Sequence, residues 1–175
     1  RLDNRADLIS QLSADQNALD DELIALAWLK WGEYCPEKLM GDFALAVVSP
    51  KNSMVFLARD VMGVKPLFYR ADENGVFFAN TASAFKPLLL GKLTPSKEWM
   101  ARFILENSYQ HTDTAYEEMK KLPGAHSLLI HADGRMNLRR YHQFVDDAPV
   151  ETKRNQHWLK AYQAVWQESG RSPAQ

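Results

Sequence analysis

The stretch Phe43-Ala44-Leu45-Ala46-Val47-Val48-Ser49-Pro50-Lys51-Asn52-Ser53-Met54-Val55-Phe56-Leu57-Ala58 holds two apolar runs divided by a segment of Ser, Pro, Lys and Asn. Short runs bounded by such turn-forming residues predict two strands joined as a hairpin. Neither run alternates apolar with polar residues, so both strands are expected to be covered on two faces. A strand pair covered on both sides needs a layer above and a layer below, which makes a layered sandwich the starting point.

Outward from this hairpin the pattern repeats. Leu67-Phe68-Tyr69 and Val76-Phe77-Phe78-Ala79 flank Asp72-Glu73-Asn74-Gly75, whose Asn-Gly step is a strong hairpin signal. Ser127 to Ile130 and Met136 to Arg140 pair in the same way around Ala132-Asp133-Gly134. Upstream, Leu2, Ala6, Leu8, Ile9 and Leu12 fall near helical spacing and predict a short first helix between Asp3 and Leu12. Asp20-Asp21-Glu22 then places acid in the first turn of a second helix, Leu23 to Trp31, which stops at Gly32. Because this helix is apolar nearly all round, it is expected to be buried. Helical patterns at Ser83 to Leu90 and Ser96 to Glu106 lie between the strand pairs. Locally paired strands with peripheral helices define an α+β class: a layered αββα sandwich of two antiparallel sheets.

From Val145 to Asn155 the sequence is polar, with Pro149, before Gln156 to Trp166 resumes an amphipathic pattern. Residues 1–144 are therefore expected to form one domain, and 145–175 a linker with the first helix of a further one. With 21 Lys+Arg against 22 Asp+Glu in 175 residues, neither sign dominates, and neither nucleic acid nor an acidic membrane is an expected partner. No apolar run approaches a membrane span, and the opening Arg1-Leu2-Asp3-Asn4-Arg5 has no signal-peptide pattern. A single cysteine, Cys35, excludes an internal disulfide and a zinc cluster and fits a cytoplasmic protein. His111, His126, His131, His142 and His157 show no metal-ligand spacing, so no metal site is expected. Trp28, Trp31 and Trp99 fall on predicted helices, where burial accounts for them. Trp158 and Trp166 belong to the terminal helix, whose apolar face awaits a partner.

The segment Leu57-Ala58-Arg59-Asp60-Val61-Met62-Gly63-Val64-Lys65-Pro66-Leu67-Phe68-Tyr69 resembles the Arg-Asp-x-x-Gly-x-x-Pro-Leu stretch of class II glutamine amidotransferases, and of asparagine synthetases in particular. Trp31-Gly32, Leu39-Met40-Gly41-Asp42-Phe43-Ala44, Lys121-Leu122-Pro123-Gly124 and Arg139-Arg140-Tyr141 resemble further landmarks of that family, in the same order. The resemblance runs from Arg1 to about Phe144. It implies an N-terminal nucleophile hydrolase fold, truncated here at its N-terminus, that releases ammonia from glutamine for an ATP- and Mg-using synthetase domain downstream. The parent would be a glutamine-hydrolysing, ATP-dependent ligase that makes an amide from aspartate. Its partners would be glutamine and its own C-terminal synthetase domain, with a homodimer left open.

In that family the nucleophile is an N-terminal cysteine whose own amine acts as base. Arg1 cannot take this part and Cys35 is internal, so no catalytic residue is expected within the chain, and the chain alone is expected to be inert. Leu19-Asp20-Asp21-Glu22 resembles the family's Ser-Asp-x-Glu, which makes Asp20 the candidate for the α-amino group of glutamine; its other reading is a helix cap. Arg59 and Asp60 are expected to form a buried ion pair or to face the domain interface, and Gly63 to supply a turn ahead of Lys65-Pro66. Two departures favour a second reading. Arg1 falls where working glutaminases carry the Glu of Gly-Glu-Ile-Tyr-Asn, and Ser83-Ala84 replaces the usual Ser-Glu before a lysine matching Lys86. The alternative is a non-hydrolysing scaffold domain, as in β-lactam synthetases and lasso-peptide cyclases.

Overall fold

A computed structural model of the chain describes residues 1–88, 93–105, 112–144, 162–164 and 166–167. Expectations that fall on Leu89, Leu90, Glu106, His111, residues 145–155, His157 and Trp158 lie outside them. In chain order the elements are α1 (Arg5–Leu12), α2 (Asp20–Trp31), a 3-10 helix (Gly32–Lys38), β1 (Ala44–Ser49), β2 (Met54–Arg59), β3 (Phe68–Asp72) and β4 (Gly75–Ala79). A 3-10 turn (Ala82–Ala84), α3 (Phe85–Leu88), α4 (Lys97–Ile104), β5 (Lys120–Lys121), β6 (His126–His131) and β7 (Met136–Arg140) follow. All pairings are antiparallel, and they build one sheet in the order β1-β2-β6-β7 and a second in the order β4-β3-β5. The two antiparallel sheets with flanking helices form the expected αββα sandwich, and all three hairpins pair as read from the sequence.

The layers follow from where alternate side chains of β2 point. Phe56 and Ala58 face the helices, packing with Leu8 of α1, Leu23 and Ala27 of α2, and Cys35. The Phe56 ring lies 4.8 Å from that of Trp28. Leu57 points the other way, joining Leu128 and Ile130 of the same sheet against Leu67, Leu122 and the inner face of β3 and β4. Phe56 and Leu57 are both essentially solvent-free, and burial of each contributes about 2–3 kcal/mol.

Two expectations are corrected. β2 is covered on both faces, but β1 is not: it stands at the sheet edge, and Ala46 and Val48 on its inter-sheet face are exposed, Val48 by 56%. The second sheet has only three strands and reaches Ala44 but not these two. Nor is α2 buried all round, because a helix lying on one face of a sheet buries only a stripe. Leu23 and Ala27 occupy that stripe, while Leu29 is 79% exposed. Two elements escaped the sequence reading: the 3-10 helix, which begins at the helix stop Gly32, and β5, whose two lysines are too short a run for any period.

Contacts divide the chain into two compact units, Arg1–Gln143 and Phe144–Gln175. In the second, residues 162–164 and 166–167 are helical, and the rings of Tyr162 and Trp166 stack at 6.3 Å. Among the described residues no helix is long and apolar enough to cross a membrane.

Candidate functional site

Asp20 is the first residue of α2, and it does not cap that helix. Leu19 is the N-cap residue, and its N–H donates to the Glu22 carboxylate at 2.8 Å. The Asp20 carboxylate turns instead toward the start of the chain. Residues Arg1 to Asp3 run antiparallel to Met40–Asp42, with Asp3 N–H on the Met40 carbonyl at 2.8 Å and a bridge between Leu2 and Gly41. This places the Leu2 N–H 2.9 Å from Asp20 Oδ2. On the other side Arg5, in the first turn of α1, lays one guanidinium nitrogen on Asp20 Oδ1 and another on the Ala18 carbonyl. Asp20 and Arg5 are each about one-third exposed, so the pair meets solvent.

The consequence for a ligand is electrostatic. At 4 Å and an effective dielectric of about 20, a lone carboxylate attracts an ammonium by about 4 kcal/mol. A guanidinium at the same distance repels it by as much, so the Arg5–Asp20 pair offers an incoming cation little net attraction. Arg5 is the residue the sequence reading missed. It stands fifteen positions before Asp20, and no helical or strand period joins the two.

Arg59, Asp60 and Gly63 form a separate knot at the end of β2. Arg59 and Asp60 are buried, but they make no direct ion pair within 4 Å, which corrects the expectation of a buried bridge. Arg59 spends its N–H groups on the carbonyls of Lys65 at 2.6 Å, Leu122 at 2.7 Å and Gly63. Asp60 accepts from the N–H groups of Val64 at 2.8 Å and Lys65 at 3.0 Å. The two side chains thus satisfy opposite backbone groups of one loop, as buried charges require. Burial pulls the Arg59 pKa below its ordinary value, and the neighbouring Asp60 partly opposes that shift. Gly63 turns this loop at φ +66°. Against it lies Gly124, where a Cβ would stand 2.9 Å from both Gly63 N and Val61 O. The Tyr141 hydroxyl donates to the Arg59 carbonyl, and Ala125 N–H to that of Asp60 at 2.9 Å. The Arg59 and Asp60 side chains are therefore committed to fixing the loop between β2 and β3.

Cys35 is fully buried, and burial pushes its thiol up to about 12, which leaves no thiolate at neutral pH. Ala84 lies in the 3-10 turn that opens α3, with the Ser83 hydroxyl donating to Thr81 Oγ1 at 3.3 Å. Among the described residues no three His, Cys, Asp or Glu side chains converge on a point that could hold a metal.

An αββα sandwich with the Arg59–Gly63 turn at the end of a core strand and an acidic helix start at Asp20 is the frame of a class II amidotransferase domain. The model of the glutamine amidotransferase domain family matches residues 3–142, and the chain belongs to that family. It is 30% identical to asparagine synthetase [glutamine-hydrolyzing] 3 of Bacillus subtilis (strain 168), over 79% of this chain and 23% of that protein. It is 26% identical to putative asparagine synthetase [glutamine-hydrolyzing] 2 of Methanocaldococcus jannaschii, over 79% of this chain and 28% of that one. Among solved structures, glutamine phosphoribosylpyrophosphate amidotransferase from B. subtilis, complexed with ADP and GMP, superposes with a TM-score of 0.57 at 17% identity. That alignment covers 83% of this chain and 28% of that one, and it shows the fold. The chain spans about a quarter of the length of these curated relatives.

Proposed function

We propose that the chain is the glutaminase-type domain of a glutamine-hydrolysing, ATP-dependent ligase that forms an amide from aspartate. The observation that carries this reading is the similarity to asparagine synthetases of both B. subtilis and M. jannaschii over nearly four-fifths of the chain. Residues 1–144 would be the glutaminase-type part and 145–175 the linker and first helix of the synthetase part. ATP and Mg would belong to that synthetase part. We place the protein in the cytoplasm, where Cys35, the one cysteine of these 175 residues, would stay a reduced thiol.

Asp20 is the residue assigned to the glutamine α-ammonium, because it is a partly exposed carboxylate at a helix start. A second reading, a scaffold that no longer hydrolyses glutamine, is favoured by Arg5, whose guanidinium occupies that carboxylate. Ammonia release from glutamine by the full-length polypeptide separates the two. Under the first reading release is measurable, and Asp20→Ala raises KM by roughly tenfold or more, the worth of one charge-assisted hydrogen bond. Under the second, no release is detected, and the nitrogen acylated downstream is an amine of the substrate itself rather than ammonia. Absence of amide formation from aspartate with either glutamine or ammonium would remove the first reading.

A further inference from the structure

A cavity of about 510 Å³ lies between α4 and the second sheet, lined by neither Asp20 nor Arg5. Its size falls within the roughly 300–1,000 Å³ of small-molecule sites. One wall is aromatic: Trp99 and Phe103 of α4 stack at 5.1 Å with their planes 11° apart. The opposite wall comes from register partners of the second sheet, Phe68 on β3 and Lys121 on β5, which point to the same side.

The charges around this recess do not cancel. Arg59 reaches the wall with its N–H groups already on three carbonyls. Asp113, the carboxylate of the lining, is occupied on both oxygens, by Arg102 at 3.0 Å and by Lys120 at 3.3 Å. Lys121 is different. Its backbone N–H is used, on the Thr112 carbonyl at 2.7 Å, but its ammonium has no ion pair or hydrogen bond among the described residues. Lys121 is half-buried, and burial first, then the nearby Arg59 charge, lower its pKa. A half-buried cation beside another cation, with no counter-ion among the described residues, is relieved by an anion. The strand register holds it over an apolar floor, so the complement of the recess is a molecule with one anionic end and one flat apolar end.

We propose that this cavity is a binding site for a small organic anion, its carboxylate on the Lys121 ammonium and its apolar body between Phe68 and the Trp99–Phe103 pair. The site is independent of the glutamine reading, since it shares no residue with the Asp20 cluster. Ligand-observed NMR on the 175-residue chain, with benzoate and its uncharged isostere benzamide as probes, tests it. Benzoate is expected to bind roughly tenfold or more tightly than benzamide, as one charge-assisted contact requires. Lys121→Gln is expected to bring benzoate down to the benzamide level, while Lys121→Arg keeps the preference. Phe103→Ala, at an exposed position, is expected to weaken both probes alike. Equal affinity for the two probes, no detectable benzoate binding, or benzoate binding unchanged in a folded Lys121→Gln protein each overturns the proposal. Should Lys121→Gln fail to fold, the probe ratio in the unaltered chain and in Lys121→Arg decides it.

Discussion

At the scale of single residues, the chain's one cysteine is a packing group. Cys35 is solvent-free in the 3-10 helix that follows α2, and its thiol is pushed from an ordinary 9.0 up to about 12 by burial. In the unfolded chain the thiol ionises near 9.0, while in the folded chain it stays protonated until near 12. Its contribution is therefore full below about 9 and is lost as pH rises toward 12, at up to about 1.4 kcal/mol per pH unit. Cys35→Ala removes this dependence, so its stability is expected to fall less steeply than that of the wild type across the same alkaline range. Chemical denaturation at several pH values measures both slopes, and equal slopes would mean that the thiol titrates as if exposed. That Cys35 is not the nucleophile was legible from its internal place in the sequence. Arg5 was not, because its meaning lies in an ion pair between the starts of two helices, which only the antiparallel packing of Arg1–Asp3 beside Met40–Asp42 brings together.

Among elements, the β2–β3 connection shows how a loop is fixed without a strand pairing. Asp60 takes the loop's N–H groups, Arg59 its carbonyls, and the Gly124 turn lies flat against Gly63. Close approach of two backbones leaves no room for a methyl group. Gly124→Ala would place its Cβ 2.9 Å from backbone atoms of Gly63 and Val61, which cannot move without disturbing the Arg59 and Asp60 contacts. A cost of about 2–3 kcal/mol is expected, read as a lowered urea midpoint with an unchanged slope. A loss below about 0.5 kcal/mol would mean that the loop is free to shift. The hairpins themselves were readable because each carries its turn chemistry and its apolar runs in adjacent sequence. The one-sided cover of β1 was not readable, since it depends on how far the three strands of the second sheet extend, and that of α2 follows from its lying on the outer face of the first sheet. The lysines of β5 become a strand only because Phe68 and Tyr69 stand opposite to receive them.

For the whole molecule, the question is which part of the chain carries the stability. The buried cluster against the helices runs from Leu2 to Leu129, with Tyr141 packed on it, and the inter-sheet cluster runs from Ala44 to Ile130. Both lie within the unit Arg1–Gln143. Apolar area removed from water dominates folding stability, so the end of the chain is expected to add little to that of the first unit. A chain ending at Gln143 should then unfold cooperatively with a midpoint within about 2 °C of the 175-residue chain, the shift expected for well under 1 kcal/mol in a domain of this size. Differential scanning calorimetry of the two chains decides it. A drop of more than about 5 °C would mean that residues after Gln143 stabilise the sandwich. In that event the boundary between glutaminase-type domain and linker would have to be moved toward the C-terminus.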